Sequence, residues 1–178
     1  MRMTDIAANL IKGLGKVPER AERFYLESFA VDVLIFEDRP FKGANSLVTV
    51  GVSKLDDRQA ELVVVYDPES LNKDTDLSGF TMTYLQHYFL NSKATYGDLF
   101  IRSQSVLNGY DFSGVYITSP SYFPDDALLE TDGLKFLWLV LLHEKEVEYA
   151  CDKGVLKLEE LLEDMDPDLS DFRRPSMI

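Results

Sequence analysis

The sequence predicts a single α+β domain in which a curved, mixed or mostly antiparallel sheet is flanked by helices. Three observations predict this class. Helical periodicity lies mainly at the two ends of the chain, and β-branched and aromatic residues dominate the middle. Residues 134–142 form a nearly continuous apolar run. The length of 178 residues favours one domain, and 46% hydrophobic residues supply a core of ordinary size.

The first part of the chain is predicted to form a helical segment over residues 1–30, followed by the α+β domain over residues 31–178. A first helix ends where Gly13 and Gly15 interrupt the periodicity. A second, short helix is expected to begin near Pro18, since proline is suited to the first helical turn. The apolar sides of these two helices are Ile6, Leu10 and Leu14, and Ala21, Phe24 and Tyr25.

The middle of the chain is predicted to form strands. The short polar segment 54–59 indicates a hairpin between the strands on either side of it. The run 134–142 is predicted to be a central strand that is buried on both faces and adjacent to this hairpin, although its periodicity also permits a buried helix. The other predicted strands are 31–36, 46–52, 60–66, 99–102 and 114–118.

Helical periodicity returns at residues 80–91 and again after the apolar run. A helix over 145–153 is expected to bury Val147 and Cys151 and to end at Gly154. The final helix has the apolar positions Leu156, Leu158, Leu161 and Leu162.

Charge and cysteine content exclude several classes of function. The chain has 31 acidic and 18 basic residues, a net charge of −13, which repels nucleic acids and anionic membranes. Cys151 is the only cysteine, so neither an intrachain disulfide nor a cysteine-based zinc site can form. The N-terminal residues lack the apolar core of a signal peptide. We expect a cytoplasmic protein without metal or cofactor.

His143 and the three glutamates that follow it are the best candidates for chemistry. The apolar run ends at His143, and Glu144, Glu146 and Glu148 come next. Their spacing differs from the His-Glu-x-x-His pattern that places two metal ligands on one helical face. Carboxylates in a first helical turn are also favoured by the helix dipole. Because the sequence shows no nucleophile, metal or phosphate-loop constellation, we expect no catalytic activity. A hydrolase that uses His143 with Glu144 or Glu146 stays open as an alternative, and a self-assembling scaffold is a third.

Five stretches, taken in order, resemble the bacterial members of the suppressor-of-fused-like (Sufu) domain family. These stretches are residues 46–53, 60–63, 112–115, 141–146 and 171–175. The resemblance implies a Sufu-like α+β fold and a non-enzymatic protein that binds other proteins. It also implies a bacterial immunity-type role, in which such domains neutralise toxins. The residues that carry the family pattern are Thr49, Gly51, Ser53, Glu61, Gly114, Glu146, Tyr149, Gly154 and Arg174.

The residues of the family pattern are interpreted as structural. A glycine inside a strand, such as Gly51, permits a bulge or a close approach of backbone. Glu61 needs a partner if it is buried, and Arg58 and Lys54 across the hairpin are candidates. Glu146 begins a helix, where its carboxylate can accept backbone N–H bonds.

The acidic residues are concentrated near the C-terminus. Residues 144–171 contain eleven acids and three lysines, a local net charge of −8. A basic toxin domain, such as a nuclease, would complement this charge, although an acidic surface that serves only solubility is an equal alternative. The sequence leaves open the partner's identity and the oligomeric state. The carboxylates that we expect to be exposed toward a partner are Glu159, Glu160, Glu163 and Asp164.

Overall fold

In the computed structural model of this chain, the described residues form seven strands: β1 (Arg20–Leu26), β2 (Phe29–Phe36), β3 (Asn45–Val50), β4 (Ala60–Tyr66), β5 (Leu99–Ile101), β6 (Gly114–Thr118) and β7 (Lys135–Leu142). They lie in one mixed sheet with the order β1-β2-β3-β4-β7-β6-β5. Among these strands, β4 and β7 pair in parallel, and the other neighbours are antiparallel. The structure describes residues 3–26, 29–55, 59–92, 94–124, 128 and 133–178.

The part of the chain that the structure describes also contains five α-helices. Their bounds are α1 (Met3–Leu14), α2 (Leu77–Tyr84), α3 (Leu90–Ser92), α4 (Glu144–Lys153) and α5 (Val155–Met165). A π-helical turn, Leu85–Phe89, joins α2 to α3, so the predicted helix over 80–91 is confirmed with an irregular middle. No helix among the described residues is both long and apolar enough to cross a membrane.

Strand β7 lies inside the sheet, between β4 and β6, which confirms the strand predicted over 134–142. Its neighbour β4 is the second strand of the predicted hairpin, as expected. Seven of its eight residues are buried because its side chains alternate between two apolar cores. Leu137, Leu139 and Leu141 belong to one core, whereas Trp138 and Val140 belong to the other. The mixed sheet flanked by helices agrees with the predicted fold class.

Helices cover both faces of the sheet. The predicted face of α1, with Ile6 and Leu10, packs in the core that also holds Trp138. Helices α4 and α5 contribute Val147 and Leu158 to that same core. The opposite core lies under α2 and the π-helical turn. It buries all β4 residues that point to that side, because both faces of the sheet are shielded from water.

The predicted second short helix after Pro18 is wrong, since these residues form strand β1. The reason is cross-strand pairing with β2. Phe24 and Leu26 alternate with exposed residues, and Arg23 makes a two-point ion pair with Asp32 directly opposite, at 2.6 and 2.8 Å. Period-two burial and this pairing outweigh the helical spacing of a few apolar residues.

Two side chains of the C-terminal helices lie in a different environment from the predicted one. Cys151 was expected on the buried side of α4, but it is exposed. Leu156 was assigned to the apolar face of α5, but 75% of it is exposed, and Leu158 is the buried residue of that helix. The helical period places Leu156 two positions, about 200°, away from Leu158, so the two cannot share one narrow buried face.

Candidate functional site

Glu61 is the first of two buried carboxylates that the family pattern contains. It lies in β4 with no exposed surface. One oxygen accepts hydrogen bonds from the Gly51 N–H at 2.8 Å, the Ser53 N–H at 3.2 Å and the Ser53 hydroxyl at 2.7 Å. The other accepts from the Thr49 hydroxyl at 2.8 Å and the Val52 N–H at 3.1 Å. The carboxylate therefore holds the turn that follows β3 against β4.

Gly51 makes this arrangement possible because its φ of 117° lies in the left-handed region that glycine adopts most readily. That turn aims three consecutive N–H groups at one carboxylate. Thr49 extends the network, since its oxygen also accepts from the Leu62 N–H at 2.8 Å. Four residues of the family pattern thus meet in one cluster, which we call the Glu61 cluster: Thr49, Gly51, Ser53 and Glu61.

The electrostatics of the Glu61 cluster follow from burial. Desolvation raises the pKa of Glu61 above its ordinary value, and the hydrogen bonds from Gly51, Ser53 and Thr49 oppose this rise without cancelling it. The prediction that Lys54 partners Glu61 is wrong, since the donors in the described part of the chain are hydroxyl and backbone groups. The other predicted partner, Arg58, lies outside the described residues.

Glu146 is the second buried carboxylate, and it also has no exposed surface. Arg174 binds it through two contacts, Nη1 to Oε1 at 2.6 Å and Nη2 to Oε2 at 2.8 Å. As predicted, the carboxylate also accepts backbone bonds, from the His143 N–H at 2.9 Å and the Met177 N–H at 3.1 Å. We call Glu146 and Arg174 the Glu146 pair. This pair binds the C-terminal tail to the junction of β7 and α4.

The guanidinium of Arg174 reverses the effect of burial on Glu146. Desolvation by itself raises the pKa of this carboxyl, but the hydrogen bonds and charge of Arg174 outweigh it, so the pKa is lowered. Arg174 also donates to the Leu141 carbonyl at 3.0 Å and lies 5.9 Å from the centroid of the Phe112 ring. A planar, five-donor side chain is suited to satisfy so many partners at once.

His143 has both ring nitrogens against backbone carbonyls. Nδ1 is 2.7 Å from the Asp111 oxygen and Nε2 is 3.0 Å from the Arg174 oxygen. A histidine that serves as a general base needs a nitrogen that faces its substrate. Glu146 is likewise committed to Arg174, so this arrangement gives no support to the hydrolase alternative. Among the described residues, no group of three or more His, Cys, Asp or Glu side chains could hold a metal ion.

The remaining residues of the family pattern lie on or beside α4. Gly114 in β6 faces this helix so closely that a Cβ there would lie 2.5 Å from Cγ2 of Val147. Gly154 separates α4 from α5, and Tyr149 is half-buried on α4. The close approach at Gly114 thus packs α4 onto the sheet.

The C-terminal carboxylates expected to face a partner are in two environments. Glu160, Glu163 and Asp164 are exposed on α5, and Glu160 makes an ion pair with Lys157. Glu159 is half-buried, so its predicted exposure is wrong. Its Oε1 accepts hydrogen bonds from the hydroxyl groups of Tyr96, at 2.6 Å, and Tyr116. These tyrosines lie 63 and 43 residues away in the sequence, so helical periodicity could not reveal the contact.

The fold places the chain in a class with structural precedent. A SUFU homologue from Neisseria gonorrhoeae FA 1090 matches with a TM-score of 0.69 and 15% identity, over 98% of each chain. A chain in the crystal structure of the Sufu–Fu complex matches with a TM-score of 0.63 and 15% identity, over 98% of this chain and 91% of that one. The class is therefore that of SUFU-like folds. No curated protein sequence matches the chain.

The family follows from the sequence as well. The family model for suppressor of fused protein (SUFU) matches residues 28–175, which is most of the chain. This protein belongs to the suppressor of fused family. The resemblance drawn from the sequence motifs is thereby confirmed.

Proposed function

We propose that this chain acts by binding another protein, and that it is an immunity-type protein which neutralises a toxin by direct contact. The observation that carries the proposal is the charge of the C-terminal region, −8 over residues 144–171, on a member of the suppressor of fused family. A protein of this fold occurs in the Sufu–Fu complex, which supports a protein partner. The cytoplasm is the compartment we propose, since the single cysteine fits a reducing environment.

The exposed carboxylates of α5 supply the proposed binding face. Glu160, Glu163 and Asp164 project from one helix whose last turn has no basic residue. A toxin that acts on nucleic acid has a basic cleft, because it must hold phosphates. Opposite potentials of this kind accelerate encounter and favour the correct partner over others. We therefore propose that α5 is directed at the basic cleft of the toxin.

The test uses the proteins encoded next to this chain's own gene, each co-expressed with it. One of them is expected to be toxic alone, to be tolerated in the presence of this chain and to co-elute with it. Failure of every adjacent product to be both toxic and bound would overturn the immunity role.

A charge-reversal triple variant, Glu160→Lys, Glu163→Lys and Asp164→Lys, tests the face. We expect its association rate at low salt to fall about tenfold or more, with a weaker dependence on salt than in the wild type. The matched control reverses Glu19, Glu37 and Glu69 to lysine, which changes the net charge equally outside residues 144–171. Equal losses in the two variants would mean that net charge, rather than this face, governs association.

A further inference from the structure

A cleft of about 360 Å³ lies between β6, β7 and α5. Aromatic rings form its walls, and carboxylates lie along the side that α5 provides. We call it the acidic aromatic cleft. Its aromatic residues are Tyr96, Tyr116, Tyr122 and Trp138, and its acidic residues are Glu159, Glu163 and Asp166.

The aromatic walls are fixed by hydrogen bonds and ring contacts. The Tyr122 and Trp138 rings have centroids 4.7 Å apart, and the Tyr122 oxygen accepts from the Leu169 N–H at 2.9 Å. Tyr96 and Tyr116 both donate to one oxygen of Glu159. Tyr96 is 51% exposed and Tyr122 is half-buried, so these two rings are accessible from the cleft, whereas Tyr116 and Trp138 are only 1% exposed and line it from the core. A π-face attracts a cation.

The acidic side of the cleft is electrostatically unbalanced. Glu163 lies in the last turn of α5, and Asp166 caps its C-terminus, where the helix dipole is already negative. The last turns of α1 and α4 contain Lys12 and Lys153, whereas that of α5 contains no basic residue. No lysine or arginine is among the described residues that line the cleft. A cation from outside the chain would therefore complement the charge of these carboxylates.

We propose that the acidic aromatic cleft binds an arginine side chain of the partner protein. A planar guanidinium can stack on an aromatic ring while its N–H groups reach carboxylates at the edge of the plane. Lysine offers only a compact point charge, which uses the ring walls less well. This inference rests on the proposed function, since it names the contact by which a basic partner would be held.

The binding test uses a short peptide of alternating glycine and arginine residues. Trp138 is the only tryptophan in the chain, so its fluorescence reports on the cleft directly, and calorimetry gives a second readout. We expect the dissociation constant to be at least tenfold lower for this peptide than for a version with citrulline, the neutral isostere of arginine. The lysine version is expected to bind several-fold more weakly than the arginine version. Equal binding of the citrulline version would overturn the proposal.

Two double variants separate the effect of the cleft carboxylates from the effect of the protein's net charge. The double variant Glu163→Gln and Asp166→Asn removes two cleft carboxylates and should weaken the arginine peptide about tenfold. Asparagine tolerates the left-handed backbone of Asp166 (φ 43°), so the helix end is retained. The matched control, Glu69→Gln and Asp74→Asn, removes the same charge from exposed residues outside both the cleft and α5 and should change binding less than twofold. An equal loss in both variants would overturn the proposal.

The cleft variant, the peptide and the co-expression test together distinguish this inference from the proposed function. If a toxin binds wild type and the cleft variant equally, the cleft proposal fails and the immunity role stands. If no adjacent gene product binds but the arginine peptide does, the immunity role fails and the arginine site stands.

Discussion

Glu61 and Glu146 are equally buried carboxylates with opposite pKa directions. Both have 0% exposed surface. The described partners of Glu61 are hydroxyl and backbone groups, and burial raises its pKa. Glu146 meets the guanidinium of Arg174, which lowers its pKa despite the cost of desolvation. Burial alone therefore does not decide the pKa of a carboxyl group. The charge of its partner does.

The two sites also differ in how far apart their members lie in the chain. The described partners of Glu61 lie within 12 residues of it, at the end of β3 and in the turn that follows. Arg174 lies 28 residues from Glu146. The Glu61 cluster is thus a local device that shapes one turn, whereas the Glu146 pair joins two distant parts of the molecule.

The largest effect is expected for Glu146→Gln. This change leaves the Arg174 guanidinium buried without its counter-charge, which costs about 3–5 kcal/mol. The free energy of unfolding in urea measures the loss. The control is the double variant Glu146→Gln and Arg174→Met, which should lose less than the sum of the two single changes. Strict additivity would mean that the two side chains do not act as a pair.

A smaller effect is expected for Glu61→Gln. The amide NH₂ of glutamine would meet N–H and O–H donors on the side where an oxygen now accepts, at a cost of about 1–3 kcal/mol. Urea unfolding at pH 7 again measures it. Ser53→Ala removes one hydroxyl from the five donors that the described residues supply and should cost about 1 kcal/mol. If Glu61→Gln lowered the free energy of unfolding more than Glu146→Gln does, the expected order of the two sites would be wrong.

The contributions of Glu61 and Glu146 to the free energy of unfolding are expected to change in opposite directions with pH. The pKa of Glu146 is lower in the folded protein than in the unfolded chain, where it is about 4.3. Its stabilisation is therefore present above pH ~4.3 and is lost as the pH falls through the folded pKa. The pKa of Glu61 is raised, so its contribution is fully present below pH ~4.3 and is lost as the pH rises through the folded pKa.

The measurement compares wild type with each glutamine variant in urea between about pH 3 and 8, since glutamine does not titrate. The stability difference should shrink toward low pH for Glu146→Gln and toward high pH for Glu61→Gln. Two differences that change in the same direction would show that the two carboxyl groups do not titrate oppositely.

The sequence predicted the features that depend on contiguous residues. The apolar run of β7 and the helical spacing of Ile6, Leu10 and Leu14 are patterns of one segment, and both elements formed as expected. Strand β1 was missed because it lies at the sheet edge and buries only parts of alternate residues, a weaker signal than its pairing with β2.

The contacts of the two buried carboxylates and of Glu159 were less predictable, because their partners are backbone groups or residues far away in the sequence. The role of Glu146 as an acceptor of N–H bonds follows from its place at a helix start, but its pairing with Arg174 depends on the path of the tail. The described donors to Glu61 are mainly backbone N–H groups, which residue types do not reveal, so a search for basic side chains named Lys54, which is not among these donors. The tyrosines that hold Glu159 come from a loop and from β6, far away in the sequence.

The path of the C-terminal tail sets an order of assembly during synthesis. The Phe172 N–H binds the Ser70 hydroxyl at 3.0 Å, and the Asp67 N–H binds the Ser170 carbonyl at 2.8 Å, so the last residues close contacts begun about a hundred residues earlier. The chain emerges from the ribosome from its N-terminus. The turn around Glu61 can form as soon as its hairpin is outside, whereas Glu146 stays without its cation until residue 174 has been released. The docking of residues 170–174 therefore follows the formation of the turn around Glu61.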